Sequence, residues 1–388
     1  MLNIIVNRRK VLIYMIEFSE LQSYLLYYGA VLASSIFAWV AQNIGYYKKE
    51  HRVVHPFFWI LSFLCLFLPV AFRGYGVDHD NYFSAYEKIS AYGWNYFEIY
   101  SGFPEPLYVL INILAAYMGD FQYVYILSGF ISLFFTFKAF ARKTNEINLA
   151  ICVWMFSTLY YLNLFGLVRI SIAVGIITYA YRYIEENNIK KYLAYVILAT
   201  LFHYSAIIML PLIVIFKNNY FDISRSRTFK KTWFALGILA GIFAISGYII
   251  DQFQDIPWLI RYSQYFEGTN ISVINNIAGL YPLILLMLFF GSRINRKEKY
   301  GTLYLSMFIT MLIIILSSMI VSFMRLTYFL YPATYYLYSY IAGNLKQSSD
   351  KIIYMSVLFL LMTFWFMYRF TSDLWEPFLI PYFLNMPK

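Results

Sequence analysis

Long apolar runs are the feature that most constrains this chain. They recur along its length in stretches of about 17 to 21 residues, each long enough to cross the ~30 Å hydrocarbon core of a bilayer as a helix. Of the 388 residues, 61% are hydrophobic and only 13% are charged. Lipid offers no partner to unpaired backbone groups, so such runs must be helical. The sequence therefore predicts an all-α, polytopic integral membrane protein forming a single membrane domain over residues 1–388.

The apolar pattern predicts about twelve transmembrane helices. Two neighbouring runs, 191–204 and 205–216, are each short, and together they could instead form one longer helix that contains Pro211. That choice would invert the sidedness of everything that follows. The predicted spans are 22–42, 56–72, 121–141, 147–164, 166–184, 191–204, 205–216, 232–250, 275–292, 301–320, 326–343 and 351–370.

The distribution of Lys and Arg favours two separate short helices, 191–204 and 205–216, over one fused helix. Short cytoplasmic loops are enriched in Lys and Arg, and with two separate helices six loops on one side hold most of the 30 Lys+Arg. The net charge of +10 is spread over those loops, which indicates membrane topology and excludes a nucleic-acid partner. The same rule places the apolar stretch 105–118 as an interfacial or re-entrant helix on the outer side. The six loops are 46–52, 138–146, 182–191, 217–231, 293–299 and 343–351.

Two large loops are predicted on the extracytoplasmic side. The first runs from 73 to 120 and the second from 251 to 274, and both are rich in aromatic residues. A long loop in a compact protein usually carries function or is disordered. The aromatic content argues against a disordered linker, so the sequence predicts ordered, functional loops.

Five arginines map to the outer membrane level in this topology. An arginine inside a membrane helix costs about 2.5 to 3.5 kcal/mol, so each needs a partner, a water-filled cavity or a route to the headgroups. Arg169 lies about one turn inside its helix, where it could bind a pyrophosphate or pair with a helix carboxylate. Together these side chains predict an anion-binding vestibule. The five are Arg73, Arg169, Arg261, Arg325 and Arg369.

The triplet Asp78-His79-Asp80 follows Arg73 and two glycines. It could supply metal ligands, a general base at Asp78, or an N-cap at Asp80 for the helix that follows. Gly74 and Gly76 would let the backbone turn sharply and approach a ligand.

Two further titratable residues stand at special positions. Glu105, between two prolines, is a second carboxylate held in a rigid turn. His203 ends a short helix at the outer level, where it could cap the turn or exchange protons in a reaction.

Common catalytic motifs are absent from the sequence. It contains no GxxxxGK[ST], HExxH, CxxC or GxSxG pattern, and its two cysteines, Cys65 and Cys152, lie inside apolar runs. Nucleotide hydrolysis, zinc proteolysis and nucleophile-elbow esterase chemistry therefore have no motif support. We expect neither a cofactor nor a metal.

The sequence resembles the EpsG/Wzy-type polymerases of bacterial exopolysaccharide, capsule and O-antigen synthesis over nearly the whole chain. The resemblance rests on the order of "FRGYGVDHDNYFSAY", "NLFGLVRISIA", "LATLFHYSAIIMLP", "RYSQYFEG" and the C-terminal "PY". One departure is plain, since the family commonly has Arg-Gln where this chain has Arg169-Ile170.

The resemblance implies a GT-C-like fold in the bacterial plasma membrane. On the outer face, a glycan carried on polyprenyl (undecaprenyl) pyrophosphate is passed to the terminal sugar hydroxyl of another lipid-linked repeat unit. A flippase and a chain-length regulator of the same pathway are the expected protein partners, beside membrane lipids.

Residue roles follow from that reaction. Fixed cations would hold the leaving pyrophosphate, a base would accept the acceptor proton, and aromatic rings would dock the sugars. The pyrophosphate residues are predicted to be Arg73, Arg169, Arg261 and Arg325, the catalytic residues Asp78, His203 and Glu105, and the sugar-binding residues Tyr75, Asp80, Tyr82, Tyr262 and Tyr265.

Other functions remain open at this point. A related transferase would use a polyprenyl-monophosphate sugar and add one residue, with Asp78 as base, and an O-antigen-type ligase would differ mainly in its acceptor. A lipid-linked oligosaccharide flippase should show inverted repeats and charges near the midplane, whereas this chain concentrates charge at one surface. A membrane O-acyltransferase would use His203 as base.

Overall fold

The structure is a computed structural model that describes residues 15–48, 51–100, 104–210, 281–291, 293–294, 310, 324–372 and 375–387. This part of the chain is mostly helical, with four very short strands. The helical prediction is therefore confirmed.

Fourteen α-helices are present in these ranges, and we number them in chain order. They are α1 Glu20–Asn43, α2 Pro56–Ala71, α3 His79–Tyr92, α4 Tyr96–Ile99, α5 Pro106–Met118, α6 Gln122–Ala141, α7 Leu149–Leu159, α8 Val168–Glu185, α9 Ile189–Phe202, α10 Tyr281–Gly291, α11 Met324–Thr327, α12 Tyr331–Asn344, α13 Ser348–Phe370 and α14 Glu376–Leu379.

Strands and 3₁₀ turns connect these helices. The strands pair in two antiparallel ribbons, β1 with β4 and β2 with β3. The strands are β1 Ile16–Glu17, β2 Tyr46–Lys48, β3 His51–Val53 and β4 Phe383–Leu384, and the 3₁₀ turns are Gly93–Asn95, Tyr161–Phe165 and Tyr204–Ile208.

Three helices in the described part are long and apolar enough to cross a membrane: α1, α6 and α13. Four shorter helices are also apolar, namely α2, α5, α7 and, from Pro282, α10. The predicted spans 22–42, 56–72, 121–141 and 351–370 agree with α1, α2, α6 and α13 to within about three residues, whereas α7 ends well before the end of the predicted span 147–164. The total of twelve spans stays a prediction.

The helix breaks at His203, as the prediction of two separate short helices requires. Helix α9 ends at Phe202, and His203 is extended with φ −158° and ψ 115° before the 3₁₀ turn begins at Tyr204. A continuous helix through 191–216 is therefore wrong. The span 232–250 and most of 205–216 lie outside the described residues.

Helix α8 lies at the centre of the described fold. Most of its residues are buried, and it packs closely on α6, where Gly175 lies against the backbone of Ser132. The Ser132 hydroxyl donates a 2.7 Å hydrogen bond to the Ser171 carbonyl across the same contact. Arg169, in the first turn of α8, therefore projects from a rigid element of the core.

Several loops that charge assigns to the cytoplasm meet at one end of the bundle. The Arg52 amide donates a 3.1 Å hydrogen bond to Oδ1 of Asn145. The Gln42 side-chain amide, at the end of α1, donates to the Thr144 carbonyl at 3.0 Å. The Asn344 amide donates 2.9 Å to the Glu146 carbonyl. The loops at 46–52, 138–146 and 343–351 thus share one end, as predicted.

At the opposite end, residues 72–76 pack against the C-terminal segment and the turn before α8. The Gly74 amide donates a 2.6 Å hydrogen bond to the Phe383 carbonyl. A Cβ at Gly76 would collide with the backbone carbonyl of Phe165. These glycines permit close backbone packing, and the predicted role of Gly76 in approaching a ligand is not what the structure shows.

This contact predicts a stability effect for Gly76→Ala. A backbone carbonyl is not easily displaced, so we expect a loss of about 1–3 kcal/mol, as for other overpacked sites, and a lower melting midpoint in detergent. The matched control is Gly29→Ala in α1, where no atom lies within 4 Å of the added Cβ. That variant should melt at or above the wild-type temperature, since alanine favours a helix; equal losses in both variants would contradict the packing explanation.

Candidate functional site

A cavity of about 390 Å³ lies beside helix α3. One face of α3 forms a wall, because Asp78, Tyr82, Ala85 and Ile89 recur at helical spacing. The other walls come from α5, the start of α8 and the break after α9. The lining residues are Asp78, Asn81, Tyr82, Ser84, Ala85, Lys88, Ile89, Tyr96, Tyr100, Pro104, Glu105, Tyr108, Val109, Leu167, Arg169, Ile170 and His203.

Glu105 is the centre of the polar wall. Its Oε2 accepts a 2.7 Å hydrogen bond from Nη1 of Arg169, and its Oε1 lies 3.2 Å from Nδ1 of His203. The Glu105 side chain is 7% exposed, while those of Arg169 and His203 are 25% and 16% exposed. Three residues far apart in sequence thus meet on one carboxylate at the cavity surface.

The local sequence explains why Glu105 is held in place. It caps the N-terminus of α5 in an extended conformation, and Pro106 occupies the first helical position, where its missing N–H costs nothing. The Glu105 carbonyl accepts hydrogen bonds from the amides of Tyr108 at 3.1 Å and Val109 at 3.0 Å. The Tyr204 hydroxyl donates 3.2 Å to the Pro104 carbonyl, which ties this turn to the break after α9.

The electrostatics of the cluster keep Glu105 ionised. Burial alone would raise its pKa, but the hydrogen bond to His203 and the charge of Arg169 outweigh it and lower the pKa to about 2. At neutral pH Glu105 is therefore an anion that can only accept hydrogen bonds.

Four tyrosines, Tyr82, Tyr96, Tyr100 and Tyr108, give the cavity aromatic walls; we call them the cavity tyrosines. The Tyr82 hydroxyl accepts a 3.1 Å hydrogen bond from the Val168 amide, and its ring centroid lies 6.0 Å from that of Tyr108. The rings of Tyr96 and Tyr100 stack with centroids 5.2 Å apart. Tyr82 was predicted to bind sugar and does line the cavity.

The two aspartates of the triplet lie in different surroundings. Asp78 lines the cavity and is the N-cap of α3, without a side-chain capping bond. Asp80, predicted as the N-cap, lies inside the first turn, so that prediction is wrong. Asp80 instead accepts a 3.2 Å hydrogen bond from Tyr75, and neither of these two predicted sugar-binding residues lines the cavity. In the described ranges, no three His, Cys, Asp or Glu side chains cluster as metal ligands would.

The structure places Arg73 in the protein core and not in the cavity. The side chain is 2% exposed, and its guanidinium carbon lies 3.9 Å from the ring centroid of Tyr125. Its Nη1 donates a 3.2 Å hydrogen bond to the Val70 carbonyl. The guanidinium of Arg73 therefore makes a cation–π contact with Tyr125, whereas the sequence predicted that it would bind pyrophosphate.

The remaining predicted residues do not line the cavity or lie outside the described part of the chain. Arg369 is half-buried, donates a hydrogen bond to the Leu159 carbonyl and lies 3.4 Å from Oδ1 of Asn163. Arg325 lies in the short helix α11. Arg261, Tyr262 and Tyr265, together with the whole 251–274 loop, lie outside the described residues.

Sequence reasoning missed Lys88 and three of the cavity tyrosines. The structure gives Lys88 no ion pair within the described part of the chain, whereas the charge of Arg169 is already offset by Glu105. The helical spacing that leads from Tyr82 to Ile89 could have placed Lys88 at the edge of the same face. Tyr96, Tyr100 and Tyr108 carried no such signal, because their proximity depends on how α4 and α5 pack on α3.

His79 lies behind the cavity wall. Its Nδ1 is 2.9 Å from the Tyr125 hydroxyl, and the residue is buried. Burial lowers the pKa of His79 to about 4, with Arg73 adding to the effect and Asp80 opposing it.

This shift predicts a pH-dependent stability. Between pH 6.5 and 4 the unfolded chain binds a proton at His79 that the folded chain does not, so the free energy of unfolding falls by up to about 3 kcal/mol as the pH drops. The melting midpoint should therefore fall more steeply with acid in wild type than in His79→Asn. His55→Asn, which keeps His79, should retain the wild-type slope; an unchanged slope in His79→Asn would refute the assignment.

Comparison with known proteins adds one positive finding. A family model described as the EpsG family matches residues 57–384. No curated protein and no solved structure matches the chain. The GT-C-like fold expected from the sequence stays a prediction.

Proposed function

The chain belongs to the EpsG family, and from this we propose that it is a polysaccharide polymerase that joins polyprenyl-pyrophosphate-linked oligosaccharide repeat units. Family membership and the apolar helices indicate a membrane protein of polysaccharide synthesis. The lipid-linked substrates, the outer face of the bacterial plasma membrane and the residue roles are the proposal.

One observation carries the proposal: a cation, a carboxylate and an imidazole converge on a cavity with aromatic walls. Its volume of about 390 Å³ falls in the range of small-ligand pockets, ~300–1,000 Å³. Glycosyl transfer from a lipid diphosphate needs an anion site, a proton acceptor and surfaces for sugar rings, and this wall offers all three.

The anion site consists of Arg169 and Lys88. A guanidinium matches phosphate oxygens with its planar fork of donors and stabilises the charge that develops as the diphosphate leaves. Lys88 adds a point charge on the same helix, α3, six residues after Tyr82. Six residues correspond to a separation of ~9 Å along the helix axis. Arg73 has no part in this site, since it is enclosed by the core.

The cavity tyrosines and Asn81 provide the sugar site. Aromatic faces accept the apolar faces of sugar rings, while phenol and amide groups bond the hydroxyls. The acceptor proton goes to His203 or Asp78, which both line the cavity.

The position of the cavity supports an extracytoplasmic reaction. The loops 46–52, 138–146 and 343–351 meet at one end of the bundle, while Arg169 starts α8 and the Lys143–Glu185 pair of 2.6 Å marks its other end. Basic loops favour the cytoplasm, so the cavity faces away from it.

The size of the reaction product distinguishes the proposed polymerase from the alternative functions. The protein would be purified in detergent and given lipid-linked repeat units from a strain that lacks it, and the products would be resolved by size. A ladder of oligomers with released polyprenyl pyrophosphate is expected. Addition of one sugar would establish a monophosphate-sugar transferase instead, and unchanged units with a folded protein would move the question to transport in sealed vesicles.

Arg169→Ala tests the anion site. Removing one preorganised charge-stabilising group costs about 10²–10³ in rate, so we expect ladder formation to fall by that factor at equal protein level. Arg182→Ala is the matched control: this arginine lies on the same helix, is also 25% exposed and is also paired with a glutamate, but at the far end. Equal activity of the two variants would contradict the assignment.

A further inference from the structure

The carboxylate of Glu105 is shared between two functional side chains. One oxygen binds Arg169 at 2.7 Å and the other lies 3.2 Å from Nδ1 of His203. The carboxyl is itself buried and held by the turn between two prolines. Neither partner can change its hydrogen bonding without affecting the other.

This geometry defines the tautomer of His203. Glu105 is ionised and has no hydrogen to donate, so the hydrogen between the two groups belongs to Nδ1 of the imidazole. In a neutral imidazole the other nitrogen, Nε2, then carries the lone pair. A carboxylate on Nδ1 also stabilises the imidazolium that forms when Nε2 takes up a proton.

We propose that Glu105 is a positioning residue that makes Nε2 of His203 the proton acceptor and links its basicity to the binding of the diphosphate by Arg169. This inference rests on the proposed function. It separates Glu105, which acts through its neighbours, from His203 and Arg169, which touch the substrates.

The link arises because the diphosphate and Glu105 compete for one guanidinium. While the cavity is empty, Arg169 draws electron density from the carboxylate and weakens its interaction with His203. When the donor binds, Arg169 turns part of its donor fork to the phosphate oxygens. Glu105 then interacts more strongly with His203, which becomes a better base only when the donor is in place.

The chemical step balances with groups already named. The acceptor hydroxyl gives its proton to Nε2 of His203 as its oxygen forms the bond to the anomeric carbon. The bond from that carbon to the diphosphate oxygen breaks, and the leaving diphosphate takes the electron pair and is held by Arg169. The imidazolium then returns its proton to the diphosphate or to water.

Other ionisable groups also face this cluster. They contribute a background charge that does not depend on Glu105, so a test must compare variants and not rely on one titration. They are Asp78 and Lys88 from α3, Tyr204 after α9 and the cavity tyrosines.

The first test observes the imidazole directly in the wild-type protein. The chain has four histidines, so ¹⁵N-imidazole labelling gives a small set of signals, and His203→Asn identifies the relevant one. We expect the neutral form to carry its hydrogen on Nδ1. Added inorganic pyrophosphate should raise the His203 titration midpoint by about one unit, and less in Glu105→Gln. A neutral form protonated at Nε2, or the same pyrophosphate shift in both proteins, would overturn the proposal.

The second test separates positioning from substrate binding. Glu105→Gln should lower kcat of polymerisation about 100-fold without raising KM for the donor, since the competitor for Arg169 is gone. The acid limb of the kcat–pH profile should move to lower pH, because the imidazole loses its carboxylate. A raised KM with unchanged kcat would overturn the proposal. If wild type forms no polymer, the proposed function fails, whereas the tautomer measured with pyrophosphate alone still decides the role of Glu105.

Discussion

The arrangement of the cavity depends on one buried anion. A carboxylate removed from water is stable only when donors or cations replace its hydration. Glu105 receives both kinds of partner, one from the start of α8 and one from the end of α9. The contacts that satisfy this charge join the N-terminus of α5, the first turn of α8 and the residue after α9, and the cavity lies beside them.

The rest of the described fold keeps that register rigid. Helix α8 is buried on nearly every side, and its contact with α6 is too close for a side chain larger than glycine at 175. The Tyr82 hydroxyl accepts a hydrogen bond from the Val168 amide where α8 begins, which joins α3 to α8. The proposed transferase would benefit from such preorganised walls.

The arginines show how equal sequence signals lead to different roles. Arg73 and Arg169 both stand at the outer end of predicted spans, yet Arg73 stacks on Tyr125 in the core and Arg169 meets Glu105 at the cavity. Arg369 is bound by backbone and side-chain oxygens near the end of α7. An arginine in a membrane protein needs a partner. The sequence shows that each of these arginines needs one but does not show which residue it is.

The sequence by itself determined the helical membrane class, the break at His203, the bounds of several helices and the grouping of three basic loops at one end. These follow from local rules of hydropathy, proline and charge that act within a few residues of one another. Only the tertiary structure decided that Glu105, Arg169 and His203 share one carboxylate contact, that Lys88 and Tyr108 face the same cavity, and that Gly76 serves packing. These features depend on how helices that are distant in sequence pack together. That packing is stabilised by many long-range contacts, which cannot be predicted from a local sequence pattern.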